Sequence, residues 1–349
     1  MEKKERILWI DTLKGFTIIF VIIGHVLLGY TNNNAFPQFQ EIMLKINYWI
    51  YSWHMPLFMV ISGFAFKIAY FKDKTLDKKR INKQILNLIL IYFIFQFGLC
   101  LLKIIFNNFV DNKMDFYNLI LNLLLPNNIM WYIWVLVIYY FILKFIYNQI
   151  DNFNIYVYTI ILGIIIKIID NKFGIILGIK NLFYCFQFFI FGIWLANKYL
   201  LKENFEMNKK INLFSWSYFI IYIFLLTTEY FNIFPIMIKI ILELINAYSI
   251  IIILFRIFSK IKKLSFLILC GKESLVIYLL HTYFVTAIKA YVIRSNFLSA
   301  GIIIILTTVL SLVICLIIAK LSHKIKFLEY IFKPIIIFER LKESKNAKI

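Results

Sequence analysis

The chain has 349 residues, is 62% hydrophobic and has a mean hydropathy of +0.82. Apolar runs of about twenty residues recur from end to end, each long enough to cross a hydrocarbon core of roughly 30 Å as a helix, which excludes a soluble globular fold. The formal charge of +20 does not mark a partner for nucleic acid, because the basic residues sit in short loops between apolar runs, where Lys and Arg set membrane orientation.

The reading is therefore an all-α, polytopic membrane helix bundle whose first partner is the lipid bilayer. Ten spans are predicted, at about 8–30, 47–70, 84–106, 129–147, 154–169, 181–199, 213–231, 234–257, 273–293 and 299–321. The fifth is short, and 115–125 reads as an amphipathic segment lying at the membrane surface. Alternate loops (1–7, 67–83, 144–153, 198–210, 256–272 and 324–348) carry 27 of the 38 Lys and Arg, so both termini are expected in the cytoplasm. The chain reads as one membrane domain over 1–349, with 324–349 as a short basic cytoplasmic tail. Its N-terminus reads as a retained first helix, since Asp11 and Lys14 interrupt the apolar run and no small-residue cleavage site follows. The four cysteines fall singly in or beside apolar segments. They indicate buried thiols, with neither a metal site nor a disulfide framework.

The first span, "LKGFTIIFVIIGHVLLGY", keeps two ionisable groups, Lys14 and His25. Eleven helical residues turn through about 1100°, so the two share one face and stand about 16 Å apart along the axis. Asp11 lies in the same stripe. Ionisable residues inside a membrane helix usually face protein or a wet cavity and mark function. The alternatives are a lysine snorkelling to the interface, paired with Asp11, and a histidine bonded to a neighbouring helix.

In the second span, "WIYSWHMPLFMVISGFAF", His54 lies at a depth similar to that of His25. Pro56 cannot donate to the carbonyl of Ser52, so a kink or opening is expected beside it. Ser62 and Gly63 allow close helix approach, and Ser62 is also an acceptor-side candidate. Trp131 and Trp134 sit at the predicted outer end of the fourth span, as an aromatic belt or a platform for a sugar. Glu229 ends the seventh near the same interface, where it could meet a sugar. Lys239 and Glu243 are spaced to pair on the eighth. His323 sits at a basic boundary and reads as structural.

These stretches together resemble the integral-membrane acyltransferase 3 family, most closely its fucose 4-O-acetylase-like branch of sugar O-acetyltransferases. The resemblance is carried by "RILWIDTLKGFTIIFVIIGH" (6–25), "WHMPLFMVISGFAF" (53–66), "KKRINKQIL" (78–86), "MWYIWVL" (130–136), "FQFFIFG" (186–192) and "GKESLVIYLLH" (271–281). The family's basic residue, ten-residue gap and histidine fall on Lys14 and His25. Many members carry Arg at the first position, and a lysine lacks its bidentate fork. The proline that often follows the basic residue of the third span is missing.

The resemblance implies acyl transfer from cytoplasmic acyl-CoA, acetyl-CoA by default, to a glycan or lipid-linked sugar at a bacterial plasma membrane, without a metal. Lys14 with Asp11, joined by Arg80 and Lys83, would then serve the anionic donor. His25 would be either general base or transient acyl acceptor, with His54 assisting and His281 as the third member. A secondary transporter remains the alternative. Ten spans with intramembrane charges serve transport equally well, but the corresponding broken halves that would favour it are not visible in this chain.

Overall fold

The computed structural model describes residues 7–72, 75–105, 116–150, 153–202, 208–228, 230–261, 264–292 and 299–337. In chain order its helices are α1 (Leu8–Asn32), α2 (Gln40–Tyr70), α3 (Lys78–Ile105), α4 (Phe116–Leu124), α5 (Trp131–Ile146), α6 (Phe153–Phe173), α7 (Leu177–Tyr184) and α8 (Phe186–Lys202). They are followed by α9 (Lys209–Thr227), α10 (Tyr230–Ile233), α11 (Ile236–Lys260), α12 (Ser265–Lys272), α13 (Ser274–Val292), α14 (Ala300–Ser322) and α15 (Lys326–Phe332). The one extended pairing among the described residues joins Phe71–Lys72 to Thr75–Leu76 in a short antiparallel turn. The fold is all-α.

Nine spans among the described residues are long and apolar enough to cross a membrane, α7 and α8 together forming one. They coincide with nine of the ten predicted. The tenth, α2, has 31 residues, about 46 Å of helix. It falls outside the nine because Asn47, Tyr48, Ser52, His54, Pro56 and Ser62 dilute its hydropathy.

The helices group into two compact units. The first holds 1–62 and 195–320, and the second 63–194 and 321–349. In the first unit α1 is the central helix. Leu13, Ile18, Val21, Ile22 and Val26 are all buried. It crosses α12 at short range. A Cβ on Gly15 would stand 1.9 Å from the Leu267 carbonyl oxygen, and one on Gly271 would stand 1.8 Å from that of Asp11. Two glycines thus face each other's backbone reciprocally, the close crossing that small residues permit in membranes. At the far end of α1, Tyr30 and Thr307 of α14 share a hydrogen bond of 2.8 Å.

The second unit is built around aromatic packing and satisfied carbonyls. Phe66 meets Tyr140 and Phe189 at ring separations of 4.9 and 5.8 Å. Gly63 sits so close to the Phe189 backbone that a Cβ would fall 1.9 Å from its oxygen. The predicted amphipathic segment is α4, and it lies on α3. Tyr92 donates to the Asn122 and Leu123 carbonyls, and Gln96 donates to Asn122, closing a helix end that would otherwise lack partners. The segment read as a tail contains α15. Phe332 stacks on Phe95 at 5.6 Å, and the Ile335 amide donates to Asn87.

Several predicted boundaries change, with α2 starting at Gln40 and α3 at Lys78, ahead of the expected 47 and 84. The fifth span runs on to Phe173 because Asp170 accepts from the Ile175 amide and pairs with Lys180 at 3.0 Å, so its charge is held within the fold. Gly174, at φ +65°, then ends the helix in the left-handed region. The sixth span is broken at Cys185, where Tyr139 donates to the Leu182 carbonyl at 2.7 Å. All four cysteines are buried, as their apolar surroundings predict. Pro56 lies inside α2, which remains helical through it.

The glycines give a direct test of the α1–α12 crossing. Gly15→Ala is expected to cost about 1–3 kcal/mol by overpacking. Gly98→Ala, whose Cβ meets nothing within 4 Å among the described residues, should raise stability by up to about 1 kcal/mol through helix propensity. Thermal unfolding of both variants in detergent reads the difference in sign.

Candidate active site

Three helices of the first unit bring three histidines together. His25 of α1 and His281 of α13 have ring centroids 5.0 Å apart. Between His25 and His54 of α2 stands Tyr51, edge-on to both, at 6.0 and 4.8 Å. Its hydroxyl is 3.4 Å from His25 Nδ1, longer than an optimal hydrogen bond. Gly24 makes room for that ring. A Cβ there would stand 3.0 Å from Tyr51 Cε2.

The protonation pattern follows from backbone geometry. His54 Nδ1 lies 2.6 Å from the Ile50 carbonyl oxygen, one helical turn back. A carbonyl only accepts, so Nδ1 carries the hydrogen and Nε2 of the neutral ring keeps its lone pair. His281 repeats the arrangement, with Nδ1 at 2.8 Å from the Tyr278 oxygen and 3.0 Å from that of Ile277. Its Nε2 is buried with no hydrogen-bond partner among the described residues. A buried acceptor without a partner costs about 1–3 kcal/mol, which makes this nitrogen a place for a donor to arrive. His54 and His281 are 1% and 0% exposed, whereas His25 is only partly buried. The cluster therefore has two locked, fully buried imidazoles beside one partly buried ring.

A family profile for an acyltransferase domain matches residues 7–320, a range that takes in all three histidines. The chain belongs to the acyltransferase 3 family. Searches of curated proteins and of solved structures return no match. As a multi-pass member of this family it is a membrane acyltransferase, and the remaining predicted residues can be placed against that activity.

Lys14 is partly buried on α1 and Asp11 is buried beside the α12 crossing. Both belong to the first unit, whereas Arg80, Lys83 and Trp131 belong to the second. Arg80 is committed locally. Its guanidinium donates to the Ala69 carbonyl at 2.8 Å and lies over the Tyr70 ring, so it closes the C-terminal end of α2. Lys83 is exposed on α3. Trp131 is buried at the start of α5 and meets Tyr132 edge-on. The Ser62 hydroxyl donates to the Phe58 carbonyl of its own helix at 2.8 Å. Glu243 accepts a hydrogen bond from Tyr48, and Lys239 lies over Phe231 at 5.8 Å. His323 is exposed at the turn after α14. Glu229 lies outside the described residues.

Tyr51 is the residue that sequence reasoning misses. Its signal is the i, i+3 spacing to His54 in "YSWH", which puts the two side chains on one face. Tyr51→Phe keeps the ring against Gly24 and removes the hydroxyl. Turnover is expected to fall about tenfold, the worth of one neutral hydrogen bond, with the donor KM unchanged and membrane abundance as in wild type. Steady-state kinetics on purified protein check this.

Proposed function

We propose that this acyltransferase moves an acyl group, acetyl by default, from cytoplasmic acyl-CoA to a hydroxyl of a cell-envelope glycan or lipid-linked sugar. The observation that carries the reading is the imidazole cluster, in which one partly buried ring, His25, is accompanied by two fully buried rings whose tautomers the backbone sets. Acyl transfer to an alcohol needs a base for the hydroxyl proton, and neutral imidazole nitrogen is suited to that near neutral pH.

In the direct route His25 takes the acceptor proton as the hydroxyl oxygen attacks the thioester carbonyl carbon. The C–S bond breaks, the thiolate takes the proton back from the imidazolium, and an O-acyl ester and free CoA thiol result. In the covalent route the same nitrogen attacks first, and CoA leaves before the acceptor is acylated. Tyr51 orients His25 in either case, and His54 and His281 supply the polar backing. Sequential kinetics mark the first route and ping-pong kinetics the second.

Lys14 serves the donor in this reading. With the N-terminus in the cytoplasm it lies near the inner boundary, about 16 Å below His25 along α1. That separation is comparable to the reach of a pantetheine arm whose phosphates stay at the inner face. The two cavities of the first unit described below have neither Lys14 nor His25 in their linings, so the donor path is proposed from this helix stripe alone. Asp11, three residues before Lys14 on α1, completes the proposed donor end, and Ser62 and Glu229 are the proposed acceptor-side residues of the same unit.

The test uses radiolabelled acetyl-CoA with envelope fractions and purified protein. His25→Ala is expected to abolish label transfer at unchanged membrane abundance, and retained transfer would remove His25 from both roles. Lys14→Ala should raise the KM for acetyl-CoA several-fold, about the worth of one charge-assisted contact, and an unaltered KM would take Lys14 out of the donor site.

A further inference from the structure

On α2 the residues Glu41, Lys45, Trp49 and Trp53 follow one another at four-residue steps. They form one stripe with about 6 Å of rise between neighbours. Tyr51 stands about 200° around the helix from Trp49, so the imidazole cluster occupies the opposite face. The stripe lines two cavities of the first unit. The outer has a volume of about 600 Å³, with Glu41, Lys45, Trp49 and Thr227 in its wall. The inner, about 180 Å³, has only apolar surface, and Trp49, Trp53, Trp216 and Phe219 are among its walls. Trp49 belongs to both.

The opposite wall runs in the same order of depth. On α9, Trp216 and Phe219 line the inner cavity and Ile223, Leu226 and Thr227 the outer. Lys45 pairs with Glu41 at 2.6 Å and reaches the Thr227 carbonyl at 3.5 Å, linking the two walls. Trp49 is held from below, since Ser52 donates to its carbonyl and Asn246 of α11 donates to Ser52. Its indole nitrogen is buried and has no hydrogen-bond partner among the described residues.

From the end of α2 inward, the sequence of chemistry is therefore a carboxylate, an ammonium and an aromatic groove. We propose that this face binds one zwitterionic aminophospholipid of the phosphatidylethanolamine class. The lipid's own order from the membrane surface inward is ammonium, phosphate and hydrocarbon chain, which the stripe complements with a carboxylate, an ammonium and an aromatic groove. Its primary ammonium meets Glu41, its phosphate meets Lys45, and a chain fills the groove. An anionic lipid would leave Glu41 facing a like charge, and a quaternary choline cannot donate to the carboxylate. The site lies away from the histidines and stands independently of the acyl-transfer reading.

The test uses the full-length protein, delipidated in detergent and titrated separately with dioleoyl phosphatidylethanolamine, phosphatidylcholine and phosphatidylglycerol. Native mass spectrometry counts bound lipids, and thermal unfolding reads stabilisation. One ethanolamine lipid is expected to bind about fivefold more tightly than either rival, the scale of one partly exposed ion pair. Glu41→Gln should erase the preference over the choline lipid, and Lys45→Gln should weaken all three phospholipids. Both residues lie at the helix end, and unaltered lipid-free melting confirms folding. Trp49→Phe, which keeps an aromatic ring at the junction of the cavities, should lower affinity without changing the ranking. A ranking that the ethanolamine lipid does not lead, or one that Glu41→Gln leaves unchanged, overturns the proposal.

Discussion

An imidazole buried among membrane helices has two ring nitrogens to satisfy and no water to help. His54 and His281 meet that constraint in the same way, each giving its Nδ1 hydrogen to a carbonyl within its own helix. The solution needs no second helix, so it is available at any depth, and it leaves a lone pair on Nε2. It also commits the ring, because a histidine tied to the preceding turn has lost most of its rotamer freedom. The third ring, the partly buried His25, instead meets side chains, those of Tyr51 and His281. In the proposed mechanism this division, two committed imidazoles and one partly buried imidazole, is what suits the cluster to proton transfer.

That arrangement holds only while α1, α2 and α13 keep their mutual register. The reciprocal crossing of Gly15 and Gly271 sets α1 against α12, which leads directly into α13. Gly24 sets how near Tyr51 can come. In lipid there is no strong hydrophobic drive between helices, and close backbone approach with dispersion contacts takes its place. Glycines at these points therefore bear on the site as directly as the histidines do.

The least hydropathic of the long helices proves to be the most occupied. One face of α2 carries Tyr51 and His54, and the other carries the Glu41 to Trp53 stripe. Polar and aromatic residues on both faces are the reason α2 falls outside the nine spans selected on apolarity and length. The same dilution weakens any argument from composition about transport as against group transfer, because intramembrane charges serve both. The family match over 7–320 separates the two readings.

Sequence alone settles what is local. Apolar runs mark the spans, single cysteines in such runs become buried thiols, and an eleven-residue interval puts Lys14 and His25 on one face of α1. The amphipathic pattern at 115–125 marks α4, although not the Tyr92 and Gln96 donors that hold its end to α3. Tertiary structure alone decides which helices are neighbours, since a leucine facing lipid and one facing protein are equally apolar. Hydropathy therefore does not reveal that His281 lies 5.0 Å from His25 or that Tyr51 stands between two histidines. It also misses the ends of α6 and α7, because an Asp170–Lys180 pair and a hydrogen bond from Tyr139 to a carbonyl are contacts between elements. Periodicity reports how a helix is solvated, and only packing reports which groups it meets.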